Sequence, residues 1–357
     1  MRENYNRDPP ASRLRRRLKN FALMLHDCAV TDDIDDQIVH ALQVAPRAPW
    51  GAVGDVLGIS AATASRRWDR LVENGLAWIV TYPGGAYLDK CCSAFVEVHT
   101  AARPKGLLDE LIRDRHVATI QRTAGDSDLL LTVMVPDLGF LGDWVQRLAD
   151  TDGSARTRTR VVMRVHGESE RWRVHALSDT QETALAQYRP APVPMTHEPD
   201  EADLELMAAL ATDGRRSAVD LANLTGLSAP TVRRRLTRLM AERILSIRCE
   251  VAHAYSAWPV TANVWARGNS RALDTLVESL DAFPQVRVCC EVTGTANVIM
   301  TVWLHHISEL SQFEHELERR VPGLTVVDRS VTLETSKRLG SVLDRDGRRI
   351  GSVPVVL

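Results

Sequence analysis

The sequence predicts an α+β protein in which one two-part unit, a helical domain followed by a mixed helix–strand domain, occurs twice in tandem. Three observations support this prediction. The 357 residues, 45% hydrophobic and 25% charged, suffice for several domains that each bury a core. Residues 35–76 align with residues 203–244 without a gap. In each copy, the spacing of apolar residues changes partway from helical to alternating.

The repeat rests on twelve identical positions at a shift of 168 residues. A weaker match follows, in which residues 124–135 align with residues 293–304 after a one-residue slip. In the first copy, the identical residues are Asp35, Ala41, Leu42, Arg47, Gly58, Ser60, Ala61, Thr63, Arg66, Arg67, Arg70 and Leu71. The chain is therefore a tandem duplication.

The overall charge does not exclude a nucleic-acid partner. There are 44 basic and 46 acidic residues, a formal charge of -2, but binding depends on where charge lies rather than on its sum. The apolar content is too high for a disordered chain. No stretch approaches the ~20 apolar residues of a membrane span. We therefore expect a soluble, cytoplasmic protein without a membrane partner.

The cysteines and the first thirty residues carry less information. Cysteines at 28, 91, 92, 249, 289 and 290 form no CxxC pair, and we expect reduced core residues and no metal site. Residues 1–30 form a basic leader with seven basic residues by position 19. This leader is either a flexible arm that touches DNA or an upstream extension of a protein that starts at Met24.

The mixed domains are predicted at residues 90–170 and 256–335. In the second copy, the expected elements follow the order βαββαβ. They are a strand at 260–266, a helix at 273–283, strands at 286–292 and 298–304, a helix at 307–320 and a strand at 325–333. This order indicates a ferredoxin-like sandwich, whose helices cover one sheet face only. The other face needs a partner, for which the second copy is the obvious candidate.

The remaining segments are the helical domains and two connections. The helical domains lie at 31–80 and 201–250, and each has the spacing of a winged or three-helix helix-turn-helix (HTH) domain, with Gly226 at the turn and Ser228 as an N-cap. Residues 178–200 are expected to form a proline-rich linker, with the stretch at 188–201 stiff and extended. Residues 336–357 are expected to be a C-terminal tail.

The third helix of each helical domain is the predicted DNA reader. On a helical wheel, Val232, Leu236 and Leu239 define the buried side, and Thr231, Arg234 and Arg238 point away from it. Core packing does not explain why these outward residues are identical in the two copies, so we expect them to contact DNA. Arg235 and Arg67 flank the core and are expected to reach phosphates. The predicted DNA-binding residues are Thr63, Arg66, Arg67, Arg70, Thr231, Arg233, Arg234, Arg235 and Arg238.

The two readers differ in charge. Residues 213–248 hold eight Arg and three acidic residues, whereas residues 47–76 hold four Arg and three acidic residues. Asp69 stands where the second copy has Thr237, and Ser65 stands where it has Arg233. We therefore expect the second domain to supply most of the electrostatic affinity and the two domains to prefer different half-sites.

An HTH with the sequence LSAPTVRRRLTRL, followed by a βαββαβ domain with Gly-x-x-Asp or Gly-x-x-Asn between its middle strands, resembles the Lrp/AsnC family of regulators. The resemblance implies binding to double-stranded DNA, sensing of an amino acid or related metabolite, and homo-oligomers formed through the effector domains. It also implies effector contacts at Gly125, Asp128, Gly294 and Asn297, although Asn297 supplies no charge. Because members are usually single-copy, this chain is expected to act as a pseudo-dimer.

Two alternatives belong to other classes. Some proteins similar to this family are sirohaem decarboxylases, and His116, His166, His305 and His306 would be the candidate groups for such an enzyme. The other alternative is a metabolite-binding protein that has lost DNA contact. Because no spacing typical of acid–base, nucleophilic or metal chemistry joins these histidines, we predict no catalytic residues and no cofactor.

Overall fold

The structure is a computed structural model, which describes residues 32–88, 90–100, 106–151, 154–167, 173–252, 256 and 258–355. The predicted leader and Cys28 lie outside these residues. The helices are α1 Asp33–Val44, α2 Trp50–Leu57, α3 Ala61–Glu73, α4 Gly85–Leu88, α5 Leu107–Arg113, α6 Leu138–Asp150, α7 Asp179–Ala186, α8 Glu201–Leu210, α9 Ala218–Thr225, α10 Ala229–Ala241, α11 Ser270–Ser279 and α12 Glu309–Arg320. The strands are β1 Ala77–Pro83, β2 Cys92–Thr100, β3 Val117–Ala124, β4 Leu129–Val135, β5 Ser154–Gly167, β6 Leu245–Val251, β7 Val260–Arg267, β8 Val286–Val292, β9 Val298–Leu304, β10 Thr325–Arg338, β11 Ser341–Leu343 and β12 Arg349–Ser352.

Each copy begins with a three-helix head, α1–α3 in the first copy and α8–α10 in the second. The turn before the third helix is set by glycines in the left-handed region, Gly58 with φ +70° and Gly226 with φ +70°. Ser60 and Ser228 then accept the backbone N–H of the third helical residue and cap α3 and α10. The predicted turn and N-cap of the HTH are both present.

The two heads share one hydrophobic core and are joined by a strand pair. After its third helix, each head continues into a strand that pairs with the other head rather than into a wing of its own. Strands β1 and β6 are antiparallel, with Ala77 opposite Val251 and Pro83 opposite Leu245. Because β1 and β6 occupy equivalent positions in the repeat, this register relates the heads by a local pseudo-two-fold axis.

The remaining strands form a closed sheet. Strand β10 pairs with both β3 and β7, so eight strands make a circuit in the order β10, β3, β4, β2, β5, β8, β9, β7. The last strand of each copy pairs with the middle hairpin of the other: β10 with β3, and β5 with β8. Closure removes the sheet edges that each copy alone would expose.

The helices cover the outside of this barrel, and a small core fills its inside. Helices α5 and α6 pack on the sheet of the first copy, and α11 and α12 pack on that of the second. The interior cluster includes Phe95, Trp265 and Ile299. The prediction that the second copy covers the free sheet face is therefore confirmed.

The elements of the second copy follow the predicted βαββαβ order, with differences at the ends. The first helix is α11 followed by a 3₁₀ turn at Leu280–Ala282. The last strand extends five residues further than predicted, to Arg338. Extension is favoured because the second half of β10, from Val331 to Lys337, pairs with β3 of the first copy.

Two predictions about the connections are wrong. Residues 178–200 are not a linker over their whole length, since α7 occupies Asp179–Ala186 and buries Leu185 in the core of the heads. Only the proline-rich part after it lacks regular structure. Residues 336–357 are not a free tail either, because the end of β10 and the hairpin β11–β12 extend the sheet. In both places, an apolar side chain, Leu185 or Leu343, packs into the hydrophobic core of the heads.

The described part of the chain also shows the state of the cysteines and whether its helices or side chains suit a membrane or a metal ion. Five cysteines there are free, and four of them are buried: Cys92, Cys249, Cys289 and Cys290. No described helix has the length and apolar character needed to cross a bilayer. Within the same ranges, no three His, Cys, Asp or Glu side chains lie together in a way that could hold a metal ion.

Candidate nucleic-acid interface and effector sites

Four of the predicted DNA-binding arginines are exposed on the third helices, and one of them, Arg70, is also in an ion pair. Arg66 on α3 and its counterpart Arg234 on α10 are exposed, as is Arg233 beside the latter. On α3, the neighbouring exposed residue is Asp69, where α10 has exposed Thr237. The solvent-facing charge of the second head is therefore more positive than that of the first.

Four of the predicted DNA-binding arginines, Arg67, Arg70, Arg235 and Arg238, form ion pairs within their own heads. In the first head, Arg67 donates to Asp32 at 2.8 Å and to Asp35 at 3.0 Å, and Arg70 pairs with the second oxygen of Asp35. The carboxylate of Asp35 is fully buried, so it needs partners for its charge. Arg70 itself remains about half exposed at 52%.

The second head repeats the arrangement. Arg235 donates to Asp200 and to Asp203, each at 2.8 Å, and Arg238 pairs with Asp203, whose side chain is also fully buried. Pairing with a buried aspartate therefore gives a structural reason, which the helical wheel does not, for the identity of Arg70 and Arg238 between the copies. The signal that could have revealed it is the fixed separation of 35 residues between Asp and Arg, Asp35 to Arg70 and Asp203 to Arg238.

The two threonines at the start of the third helices also have local partners. The hydroxyl of Thr63 lies 2.8 Å from that of Ser60, and the hydroxyl of Thr231 lies 2.8 Å from that of Ser228. Each pair belongs to the N-terminal cap of its helix. Helix capping thus explains their identity between the copies without a DNA contact.

A contact between the heads was missed in the sequence. Arg47 donates to the carbonyl oxygen of Arg216 at 2.9 Å, and Arg215 donates to that of Ala48 at 2.9 Å. The guanidinium of Arg215 also lies 4.1 Å from the ring centroid of Trp50. The identity of Arg47 and Arg215 in the alignment was the available signal.

The predicted effector residues of the first copy lie at the β3–β4 turn, against a strand of the second copy. A Cβ on Gly125 would lie 2.9 Å from the Cβ of Ser330 on β10, so the close approach of the strands requires glycine here. Asp128 is exposed, and its Oδ2 accepts from the backbone N–H and the hydroxyl of Thr100 at 2.7 and 3.0 Å. The carboxylate of Asp128 therefore stabilises the end of β2.

The β8–β9 turn of the second copy is built in the same way. Gly294 has φ +110° and faces Arg160 on β5, 3.6 Å from where its Cβ would be. Asn297 accepts from the backbone N–H of Gly268 at 3.0 Å and donates to its carbonyl oxygen at 2.8 Å. Both polar residues of the pattern therefore hold the end of a strand, whether or not they also meet a ligand.

A buried ion cluster lies between the heads and the barrel. Glu250 on β6 is within 3.4 Å of Arg248, Arg287 and Arg338. Burial alone would raise the pKa of Glu250, but the three guanidinium charges outweigh it and hold the pKa at about 2. The same arginines line a cavity of about 140 Å³ together with Phe95 and Val288. The ionised carboxylate of Glu250 therefore joins β6 to the barrel through Arg287 on β8 and Arg338 on β10.

The histidines of the enzymatic alternative have separate partners. His166 lies 2.5 Å from Glu291, whereas His305 lies 3.2 Å from Glu309 and stacks on Trp258. His116 packs on the ring of Phe140. The contacts of the described residues therefore do not join these histidines into one acid–base or metal site.

Models of two domain families match the chain, each at two places. The model described as the AsnC-type helix-turn-helix domain matches residues 32–72 and 200–240. The model described as the Lrp/AsnC ligand binding domain matches residues 93–172 and 261–342. The four matches cover well over half of the chain and repeat in the same order.

Individual proteins match one copy or the whole arrangement. An uncharacterised HTH-type transcriptional regulator of Pyrococcus horikoshii is 26% identical over 139 residues, 39% of this chain and 88% of that protein. The Bkd operon transcriptional regulator of Pseudomonas aeruginosa is 29% identical over 148 residues, 38% of this chain and 92% of that protein. The crystal structure of the siroheme decarboxylase NirDL superposes with a TM-score of 0.55 at 16% identity, covering 86% of this chain and 93% of that one. At that identity the likeness concerns the fold.

Proposed function

Because the chain belongs to the Lrp/AsnC family of transcriptional regulators, with both of its domains present twice, we propose that it binds double-stranded DNA as a single-chain pseudo-dimer. The observation that carries the proposal is the placement of Arg66 and Arg234 at equivalent exposed positions on α3 and α10. The pseudo-two-fold axis through β1 and β6 relates these helices. A duplex with an imperfect palindrome has the matching symmetry.

The residues that read DNA are then a smaller set than the sequence predicts. Arg66, Arg233 and Arg234 contact bases or phosphates, since an exposed guanidinium can pair bidentately with either. Arg67, Arg70, Arg235 and Arg238 keep the reading helices docked on α1 and α8 through their buried aspartates. Any phosphate contact they make is additional to this structural role.

The two heads contribute unequally. Arg233 and Arg234 are exposed on the second reading helix, whereas the first has exposed Arg66, half-exposed Arg70 and the opposing charge of Asp69. Several further arginines counted in the second head are engaged elsewhere, Arg215 at the head contact and Arg248 in the ion cluster. On the reading helix of the second head, the exposed positive charge therefore rests on Arg233 and Arg234.

Binding to a set of DNA fragments, measured by fluorescence anisotropy, tests the proposal. We expect nanomolar binding to fragments from upstream of the gene itself and a loss of at least tenfold for the double variant R233Q/R234Q, with a smaller loss for R66Q. Asp274→Asn, an exposed substitution on α11, serves as the control. Equal losses from both heads would contradict the asymmetry, and no specific binding would contradict the function.

The effector domains are proposed to bind an amino acid or a related metabolite at the turn that contains Gly125 and Asp128. One oxygen of Asp128 is held by Thr100, which leaves the other lone pairs of the exposed carboxylate for an α-ammonium group. The corresponding turn of the second copy has Asn297, with both amide groups engaged by Gly268. Calorimetry with the amino acids one at a time, on wild type and D128N, tests this assignment.

Association beyond the single chain is also a proposal. The closed barrel already joins the two ligand-binding domains inside one chain, so the contact that pairs separate chains elsewhere in the family is intramolecular here. Further association would use the outer surfaces of the domains. Light scattering across a concentration series, with and without DNA, distinguishes a monomeric chain from larger homo-oligomers.

An enzyme is the second candidate, favoured by one observation. The likeness to the siroheme decarboxylase extends over 86% of the chain and includes both copies. A tetrapyrrole absorption band that co-purifies with the protein would support this candidate. The exposed arginines on both reading helices and the separated histidines favour the regulator.

A further inference from the structure

A large, basic cavity lies where the heads, the barrel and the connecting segment meet. It has a volume of about 940 Å³ and is bordered by α4, β5, β6 and the segment at 188–192. Its described lining residues include four arginines and a histidine and no acidic residue. These are Arg47, Arg164, Arg189, Arg243 and His166; of them, Arg47 also donates to the backbone of the other head and His166 pairs with Glu291.

Arg243 occupies a backbone conformation that normally calls for glycine. It has φ +55°, in the left-handed region that is disfavoured for residues with a Cβ. The equivalent position of the first copy is Gly75, with φ +66°. The second copy therefore has a strained residue where the first has glycine, and the side chain of this residue, Arg243, lines the cavity.

The place related to this cavity by the pseudo-two-fold axis is occupied. Gly75 accepts the backbone N–H of Arg349 at 2.9 Å, and a Cβ on Gly75 would lie 2.5 Å from the carbonyl oxygen of Arg349. Arg349 also donates to the carbonyl oxygen of Thr212 at 3.1 Å, and Leu343 is buried in the core of the heads. The C-terminal hairpin thus fills one side of the molecule and leaves the other open.

The wall formed by the connecting segment is held in position. Val193 donates its backbone N–H to the carbonyl oxygen of Ala241 at 2.8 Å, and the hydroxyl of Thr196 lies 2.6 Å from Glu242. Lys90 pairs with Glu198 at 2.6 Å across the segment. The cavity is therefore bounded by anchored chain on this side.

We propose that this cavity binds a small organic polyanion, a molecule with at least two carboxylate or phosphate groups. A volume of about 940 Å³ suits a metabolite-sized ligand rather than a single inorganic ion. Arginine forks pair bidentately with both kinds of anionic group, and several of them around one cavity require a ligand with more than one. The proposal is independent of the DNA-reading surface and of the effector turn.

Isothermal titration of the full chain without DNA tests the proposal with two rigid or compact probes, benzenehexacarboxylate and ATP. We expect at least one to bind with a stoichiometry of one per chain, and R243G to weaken binding at least tenfold. Since R243G restores the residue that the first copy has, its melting temperature should equal or exceed that of wild type. Loss of binding therefore cannot be attributed to misfolding.

Further variants separate this cavity from other basic surfaces. Arg164→Gln should weaken binding of the same probe. Arg267→Gln should not, because Arg267 is exposed at the end of β7, away from the cavity lining. Tighter binding of benzenehexacarboxylate would indicate a polycarboxylate ligand, and tighter binding of ATP would indicate a phosphorylated one. The proposal fails if neither probe binds, if R243G binds as wild type, if R234Q weakens binding as much as R243G, or if orthophosphate binds as tightly as the probes.

Discussion

Arg47 and Arg215, which occupy equivalent positions in the two copies, each donate hydrogen bonds to the backbone loop that carries the other. Arg47 reaches Gly214 and Arg216, and Arg215 reaches Pro46 and Ala48. Burial lowers the pKa of Arg215 to about 10, and its guanidinium stacks on Trp50. This reciprocal contact and the β1–β6 strand pair join the heads into one unit.

Arg215→Gln should lower the free energy of unfolding by about 3 kcal/mol, because it removes charged hydrogen bonds to two carbonyl groups and a cation–π contact. Chemical denaturation followed by tryptophan fluorescence measures the change. Arg267→Gln is the matched control and should shift stability by less than about 0.5 kcal/mol. Equal effects of the two substitutions would show that the head contact contributes nothing.

Asp203→Asn should destabilise the second head by about 2–3 kcal/mol, since the buried carboxylate holds Arg235 and Arg238. Asp35→Asn should do the same in the first head. Asp69→Asn, an exposed change on a reading helix, is the control and should leave the unfolding midpoint unchanged. If D203N were as stable as D69N, the structural role assigned to the two arginines would be wrong.

The salt dependence of DNA binding should reflect which arginines reach phosphates. Each lost phosphate contact lowers the slope of log K against log salt by about 0.9. We expect Arg233→Gln to lower it and Ser65→Ala, the matched position of the first head, to leave it unchanged. Anisotropy titrations at four salt concentrations measure the slopes, and identical slopes would remove Arg233 from the interface.

Acidification should loosen the first head through His40. Its Nδ1 accepts the backbone N–H groups of Ala176 and Leu177 at 3.1 and 2.9 Å. Glu182 lies 3.1 Å from Nε2, but burial and the charges of Arg173 and His175 lower the pKa of His40 from 6.5 to about 4. The unfolded chain therefore takes up this proton first as the pH falls.

Stability from His40 should be complete above about pH 6.5 and decline towards pH 4, by at most about 1.4 kcal/mol per pH unit. His40→Gln should flatten this dependence. Hydrogen exchange of α1 and α7 as a function of pH measures it locally. The second head has Ala208 at the equivalent position, so α8 should show no such change. A parallel change in both heads would contradict the assignment.

Two glycine substitutions separate backbone strain from packing. Gly58 and Gly75 both have positive φ, but a Cβ on Gly58 would meet nothing within 4 Å, whereas one on Gly75 would collide with Arg349. Gly58→Ala should cost about 1 kcal/mol. Gly75→Ala should cost more and release the C-terminal hairpin to limited proteolysis. Equal cleavage of the two variants would show that the hairpin does not rest on Gly75.

Much of the architecture follows from local pattern. The gapless repeat, the caps at Ser60 and Ser228 and the turns at Gly58 and Gly226 depend on residues close in sequence, so the heads and the βαββαβ order were predictable. Helix α7 and the C-terminal hairpin were not. These two elements are stabilised by apolar residues, such as Leu185 and Leu343, that pack on the core of the heads, which is distant in sequence.

The same distinction divides the candidate site. The matching arginines of the two reading helices were predictable, because helical periodicity places Arg66 and Arg234 away from the core. The ion pairs of Arg70 and Arg238 with buried aspartates depend on the packing of the heads, since those partners lie 35 residues away along the chain. The tertiary structure also determines that Arg243 borders an open cavity while Gly75 supports a hairpin. Identical copies of a motif specify equivalent folds, but what each copy packs against depends on residues outside the motif.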